Sequence, residues 1–388
     1  MRRLQMVIYP IVFFDALLMF ALVPLLPDYV DALSMSKAQA GAVIGIYSAA
    51  TLVMALPAGR VADRFGPRRI TIAGVALMTA STLVYAFANS FWMLLAARGG
   101  QGTASAISWT AGLAWLSSGT PPERRGATLG MAMTCGSVGA LLGPVLMGPL
   151  SSWLGIRTPF VLLAAVALVL TGLAAWPADV RSASEGQVSF VETIRLAARS
   201  RLMACAVLVM SLVAVVSGLV ETLVPLRLGD AGYSAAAISL VLGLAGVLAA
   251  ATQVTVGRAY DRVGGLRVAS LSITAMVVML AVLAVPQSAV AVAVIYIVGT
   301  PSISGQYAVA FPLAAAGADE VGLPHGVVLG AMNVCWGFGF FVGPAAGAAI
   351  AQASSDRVTY LLAALLAASA LPVLRSLALV PQECQEAA

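Results

Sequence analysis

Apolar runs long enough to cross a bilayer, about 20 residues each, follow one another from Val7 to Leu379 with only short polar breaks between them. A segment crossing lipid must satisfy its backbone polar groups internally, so it can only be a helix or a strand of a closed barrel. These runs are continuous rather than alternating, which excludes barrel strands. Composition agrees, because 61% of the 388 residues are hydrophobic and only 10% are charged, a balance no water-facing surface of this length would carry. The chain is therefore predicted to be an all-α membrane protein and not a soluble enzyme.

Reading the runs between polar punctuation places spans near 6–30, 38–58, 70–88, 91–117, 126–153 and 158–177, then near 202–227, 235–257, 267–285, 288–317, 324–351 and 357–378. The polar stretch from Asp179 to Arg201 divides them into an N-terminal six-helix bundle (1–178), a linker (179–201) and a C-terminal six-helix bundle (202–388). Phe190, Ile194 and Leu196 recur at roughly helical spacing, which predicts a short surface helix in that linker. Met1-Arg2-Arg3 precedes a run too long for a signal peptide and without a small-residue cleavage site, so it reads as a retained first span. With the N-terminus in the cytoplasm, sixteen of the 21 Lys and Arg residues fall inside and four outside, leaving Arg98 within a span. The positive-inside rule then puts both termini in the cytoplasm. A single Lys beside abundant Arg and Ala points to a bacterial source, and hence to an inner membrane.

The chain also repeats itself. Gly130, Gly139, Gly143 and Pro144 on the fifth span recur as Gly330, Gly339, Gly343 and Pro344 on the eleventh, at an offset of 200. The stretch Gly59 to Gly66, read as a loop and containing Asp63 and Arg64, recurs as Gly257 to Gly264, containing Asp261 and Arg262, at an offset of 198. Val23-Pro24-Leu25 recurs as Val224-Pro225-Leu226. Six spans separate the copies, an even number, so the halves share one orientation and are related by an axis along the membrane normal, with a site expected at their interface.

At these residues the chain resembles the major facilitator superfamily over essentially its whole length. Gly59 to Arg69 matches that family's G-x-x-x-D-R-x-G-x-[RK]-[RK] between spans two and three, and Arg98-Gly99-Gly100-Gln101-Gly102 matches its fourth-span R-x-x-Q-G. Gly130 to Gly148 matches the antiporter motif G-x8-G-x3-G-P-x2-G-G, with Met147 in place of the first of the last two glycines. Within the superfamily the chain is similar to drug:proton antiporters, and in particular to the vesicular amine transporter branch. Asp15 ahead of Val23-Pro24-Leu25-Leu26-Pro27 resembles that branch's first span, and Glu221 ahead of Val224-Pro225-Leu226 resembles its seventh. Where the branch carries further acids on spans ten and eleven, this chain has the uncharged Tyr307 and Asn333. The resemblance implies a major facilitator fold of twelve helices in two parallel six-helix repeats. It also implies alternating access, with proton-coupled efflux of small organic cations. Gly59, Asp63, Arg64, Gly66, Asp261 and Arg262 would form a cytoplasmic latch, and the bend at Pro144 would help seal the pathway against leak. Substrate, protons and lipid are then the partners; no cofactor, metal or nucleic acid is expected, and the working unit is read as a monomer.

Physical chemistry supports several of these roles independently. Asp15 lies about nine residues into its span, roughly 13 Å deep, where a carboxylate costs about 2.5–3.5 kcal/mol. It reads as a counter-ion for an ammonium group or a carrier of protons, against the alternative of permanent pairing with Arg98. Glu221 has Ser217, Gly218, Val224 and Pro225 three and four positions away, none of them basic, so it must face a cavity, find a distant partner or hold a proton. Arg98 stays protonated and cannot itself shuttle protons. It would act electrostatically on Asp15, or else lock span four to span one. Gly130, Gly139 and Gly143 read as small residues that let spans approach closely. Phe14, Met19, Trp109, Tyr296, Tyr307 and Trp336 are candidates to line an organic-cation pocket, where a ring face is worth about 0.5–2 kcal/mol.

Other function classes fare worse. The single histidine, His325, cannot supply a histidine metal cluster, and neither H-E-x-x-H nor G-x-x-x-x-G-K-[ST] occurs, so neither catalysis nor ATP hydrolysis is expected. A receptor or structural protein would leave two intramembrane acids without a purpose. A proton-coupled importer or a uniporter remains the alternative among transporters.

Overall fold

The computed structural model describes residues 2–176, 199–285, 288–323 and 325–378. Among them, twelve long helices follow in order: α1 (Arg2–Ala21), α2 (Lys37–Phe65), α3 (Pro67–Ala86), α4 (Phe91–Ser118), α5 (Pro122–Leu154), α6 (Thr158–Ala174), α7 (Arg201–Asp230), α8 (Ala235–Val263), α9 (Gly265–Leu283), α10 (Ala289–Val321), α11 (His325–Ala353) and α12 (Asp356–Ala378). A 3-10 turn at Val23–Leu25 and a short helix, Leu26–Ala32, extend α1. Ten spans are long and apolar enough to cross a membrane, and α6 is apolar but shorter, at 17 residues. The helix outside that set is α4, whose middle carries Arg98, Gln101 and a run of Gly and Ser. Large apolar side chains face outward, among them Val53, Leu168, Leu271 and Leu365, as lipid requires. Trp92 and Trp153 are 74% and 85% exposed near helix ends, where aromatic rings suit a membrane–water boundary.

The sequence repeat is a repeat of backbone geometry. Gly66 takes φ 91°, ψ 138° and Gly264 takes φ 88°, ψ 143°, a conformation that costs glycine least. Each ends one helix and starts the next without a spacer. Gly59–Phe65 and Gly257–Val263 are accordingly the last turns of α2 and α8 and not the loop that their polar character suggested. Nothing in Gly59-Arg60-Val61-Ala62-Asp63-Arg64-Phe65 breaks a helix, so the helix runs until the positive-φ glycine stops it. The expected surface helix at Phe190, Ile194 and Leu196 lies outside the described residues.

Two compact units are present. One comprises Met1–Gln187, Gly218–Leu244 and Phe340–Gln352, and the other comprises Val188–Ser217, Ala245–Gly339 and Ala353–Ala388. The division cuts across the sequence repeat, because the first unit takes in one end each of α7, α8 and α11.

Contacts inside the first unit explain that grouping. A Cβ on Gly41 of α2 would collide with the Pro344 carbonyl of α11, and one on Gly45 would come within 2.9 Å of the Phe341 carbonyl oxygen. A Cβ on Gly148 of α5 would strike the Ala235 carbonyl and Ser239 side chain of α8. The Ser239 hydroxyl accepts from the Gly148 N–H (3.1 Å) and donates to the Pro144 carbonyl (2.5 Å), bridging one helical turn of α5. Phe20 meets Phe340 edge to face, with centroids 6.1 Å apart, and the Ala38 N–H donates to Gln352 Oε1 at 2.8 Å. An exposed ion pair, Lys37 to Asp230 at 3.9 Å, closes the same end and contributes at most about 1 kcal/mol. The α5–α8 and α11–α2 contacts are repeat-related, since Pro144 and Pro344 occupy corresponding turns.

Candidate functional site

The end of α1 sets up the site. Pro24 and Pro27 prevent a continuous helix, so α1 stops at Ala21 and its last carbonyls lack intrahelical partners. Arg98 of α4 takes two of them, donating through Nη2 to the Met19 carbonyl (3.1 Å) and through Nη1 to the Leu18 carbonyl (3.5 Å). A cation at a helix C-terminus also meets the negative pole of the helix dipole. Nη1 further donates to Gln101 Oε1 at 3.1 Å, and Gln101 Nε2 donates to Thr82 Oγ1 of α3 at 3.1 Å.

Asp15 is buried one turn earlier on α1, and Arg98 does not pair with it. Its carboxylate accepts from the Ser105 hydroxyl of α4 (2.9 Å) and from the Tyr47 hydroxyl of α2 (3.3 Å), both neutral donors. The Arg98 guanidinium instead lies 4.7 Å from the centroid of the Tyr47 ring. Tyr47 therefore stands between the two charges, its hydroxyl on the acid and its ring face on the base. The fixed Asp15–Arg98 ion pair weighed from the sequence is replaced by this three-residue arrangement, with the guanidinium on the α1 carbonyls and the carboxylate on two hydroxyls.

Tyr47 and Ser105 were not among the residues expected at the site. Their signals are weak but present. Arg98, Gln101, Ser105 and Ser108 recur at three- and four-residue steps, which places them along one face of α4. Tyr47 is a residue with a polar tip inside an apolar span, and such a tip needs a partner when buried.

Glu221 lies on α7 in the first unit, half-buried, and among the described residues no hydrogen bond or ion pair engages its carboxylate. Tyr307 lies in the second unit, where its hydroxyl and that of Ser217 are 3.1 Å apart. Asn333 is exposed on α11 in the second unit. Phe14 and Tyr296 are buried, and Trp109 packs over Gly136.

The small residues of α5 divide in two. A Cβ on Gly139 or Gly143 would collide with the α1 carbonyls of Phe13 and Leu17 respectively, so the two helices touch backbone to backbone. The second repeat does the same, with Gly339 of α11 held 2.8 Å, measured from an added Cβ, from the Val215 nitrogen of α7. Gly130 has open space around it, and so does its repeat counterpart Gly330. Met147, where the antiporter pattern has glycine, is buried.

At the ends of α2 and α8, Asp63, Arg64, Asp261 and Arg262 are all exposed, while Gly59 sits against Thr110 of α4. Neighbouring basic residues cap other structure. Arg68 donates to the Ala175 carbonyl at the end of α6, Arg3 lies over the Trp176 ring at 5.2 Å, and Arg125 donates to the Thr120 carbonyl at 3.2 Å.

The sequence model of the Major Facilitator Superfamily matches residues 8–327. The chain belongs to the Major Facilitator Superfamily. Its relatives include the MFS-type transporter ppzB of Metarhizium majus, 31% identical over 140 residues, which are 36% of this chain and 31% of that protein. The vesicular acetylcholine transporter of Rattus norvegicus is 39% identical over 111 residues, 28% of this chain and 21% of that one. The multidrug transporter mfsC of Aspergillus fumigatus is 34% identical over 149 residues, 38% and 28% of the two chains. The matches thus span about a third or less of these relatives' length. Across nearly the whole chain the fold is that of a bacterial homologue of the lysosomal transporter Spinster, crystallised inward-facing and unoccupied, at TM-score 0.79, 15% identity and 96% coverage of both chains. It is shared with the nucleoside transporter NupG at TM-score 0.77 and 13% identity, covering 97% of this chain and 100% of that one. This superfamily protein is accordingly a multi-pass membrane protein with the twelve-helix, two-repeat fold.

Proposed function

We propose that this transporter exports small organic cations in exchange for protons. The observation that carries the reading is Asp15, a buried acid held only by two neutral hydroxyls and left unneutralised by the nearby arginine. An anion in such a place is costly. A proton or an organic cation relieves the cost, and the two cannot occupy one carboxylate together, which is the requirement for exchange. Glu221, with no partner engaging it among the described residues, is the second acid of the cycle and loads and unloads the driving proton. Kinship with vesicular acetylcholine and multidrug transporters supports cationic cargo.

In this scheme the six-helix bundles 1–178 and 202–388 rock against each other around the linker, in a bacterial inner membrane with both termini in the cytoplasm and a monomer as the working unit. The α2–α11 and α5–α8 contacts are then the outer seal. Asp63 and Asp261, with Arg64 and Arg262, form the cytoplasmic latch that holds in the opposite state. Tyr307 and Asn333 contribute uncharged contacts to cargo.

The experiment is counterflow of labelled lipophilic amines in proteoliposomes with and without an imposed pH gradient. The gradient is expected to drive amine against its concentration at least tenfold, and Glu221→Gln is expected to remove that drive while sparing exchange at equal pH. Equal flux with and without the gradient would make the protein a uniporter.

A further inference from the structure

Tyr47 holds the two buried charges of the first repeat with different parts of one side chain. We infer that Tyr47 is the positioning residue that reports the occupancy of Asp15 to the α2–α11 seal, an inference that rests on Asp15 being the exchange site. Three observations support it. First, the hydroxyl donates to Asp15 while the ring face receives Arg98, so the ring cannot turn without disturbing both. Second, the backbone of Tyr47 is clamped to α4. A Cβ on Gly102 would collide with the Tyr47 carbonyl, and the Thr51 hydroxyl lies 2.9 Å from that carbonyl and 3.0 Å from the Gly102 carbonyl. Third, Gly45 and Gly41, two and six residues earlier on the same rigid helix, are the points at which α2 abuts α11. Displacement of Tyr47 is therefore passed along α2 into the seal.

The sequence of events follows from the hydrogen bonding. While Asp15 is an anion it accepts from Tyr47 and keeps the ring beneath Arg98. A proton or an organic cation on Asp15 removes the negative charge that holds the hydroxyl, the hydroxyl bond weakens, and ring and α2 are free to shift together. The groups facing Asp15 are few. Tyr47 comes from α2, and Ser105 and, beyond the ring, Arg98 come from α4; α5 approaches α1 through Gly139 and Gly143 without a charge, its Cys135 lying by Tyr9 instead. Described helix α6 carries no titratable side chain.

The test uses the full chain with spin labels at Ala38 and Ala349, on the sealed ends of α2 and α11, and tetraphenylphosphonium as a cation whose charge does not change with pH. In the parent protein the label distance should respond both to acid pH and to saturating tetraphenylphosphonium. Tyr47→Phe keeps the ring and its contact with Arg98 but has no hydroxyl. It is expected to lower gradient-driven ethidium flux about tenfold more than counterflow exchange, and to flatten the response of the label distance to pH. A Tyr47→Phe protein with the parent's pH response and flux ratio overturns the inference. Asp15→Asn, run in parallel, separates the two claims. If Asp15→Asn loses the response while Tyr47→Phe keeps it, only the relay fails. If Asp15→Asn itself keeps tetraphenylphosphonium affinity and the pH response, the exchange-site reading falls and the relay with it.

Discussion

Spans α4 and α10 are repeat counterparts, and each buries a glutamine in the middle of its bundle, yet their surroundings differ. Gln101 of α4 is used at both ends, accepting from Arg98 and donating to Thr82. Gln306 of α10 donates to the Met276 sulfur and the Ser302 carbonyl, each at 3.1 Å, while its oxygen has no partner among the described residues. Among the described residues Asp15 and Arg98 are the fully buried charged side chains, and both belong to the first repeat. The second repeat has the neutral Ser217–Tyr307 pair instead. The same backbone plan thus carries different side chains, with a buried acid and base in the first repeat and the half-buried Glu221 beside a neutral hydroxyl pair in the second.

The sharpest way to break that comparison is at the helix contacts both repeats share. Gly143→Leu would drive a side chain into the Leu17 carbonyl, overpacking that costs typically about 1–3 kcal/mol and more where backbone blocks relief. Loss of folded protein on size-exclusion chromatography is expected, whereas Gly130→Leu, facing open space, should purify and transport like the parent. Next comes the chemistry that differs. Arg98→Leu should reduce gradient-driven flux at least thirtyfold by uncapping α1 and removing the charge over Tyr47. Gln306→Leu should change it less than threefold, since it removes an amide whose oxygen was already unpaired. Equal losses in the two variants would mean that the buried polar networks of α4 and α10 carry equal weight. The smallest effect belongs to the seal. Ser239→Ala removes one hydroxyl bridging Gly148 and Pro144, worth about 1 kcal/mol, so the ratio of sealed to open protein measured by label distances should fall about fivefold.

Much of this could be read before any coordinates. The twelve spans follow from apolar run length, and the repeat from glycines and an acid that recur at near-constant offsets. What escaped was whatever depends on partners from other helices. Gly59 to Phe65 looked like a loop because it is polar, but polarity at a membrane boundary does not end a helix, and Gly66 does. Permanent pairing of Arg98 with Asp15 was the alternative that the sequence left open, because each needs a counter-charge. In the structure Arg98 instead binds the Leu18 and Met19 carbonyls at the end of α1, a contact that depends on where α4 crosses α1. Tyr47 carries no charge and matches no motif, and its one signal, a polar tip inside an apolar span, does not say which partners it takes.

The central claim is that Asp15 holds either a proton or an organic cation, and it is tested most directly by tetraphenylphosphonium binding to the purified protein as a function of pH. Because protons compete for the carboxylate, affinity should fall as pH is lowered, toward a tenfold loss per pH unit once the proton form dominates. Asp15→Asn, which keeps the volume and deletes the charge, should bind at least thirtyfold more weakly at high pH and lose most of that slope. An Asp15→Asn protein with the parent's affinity and the same dependence on pH would contradict the account.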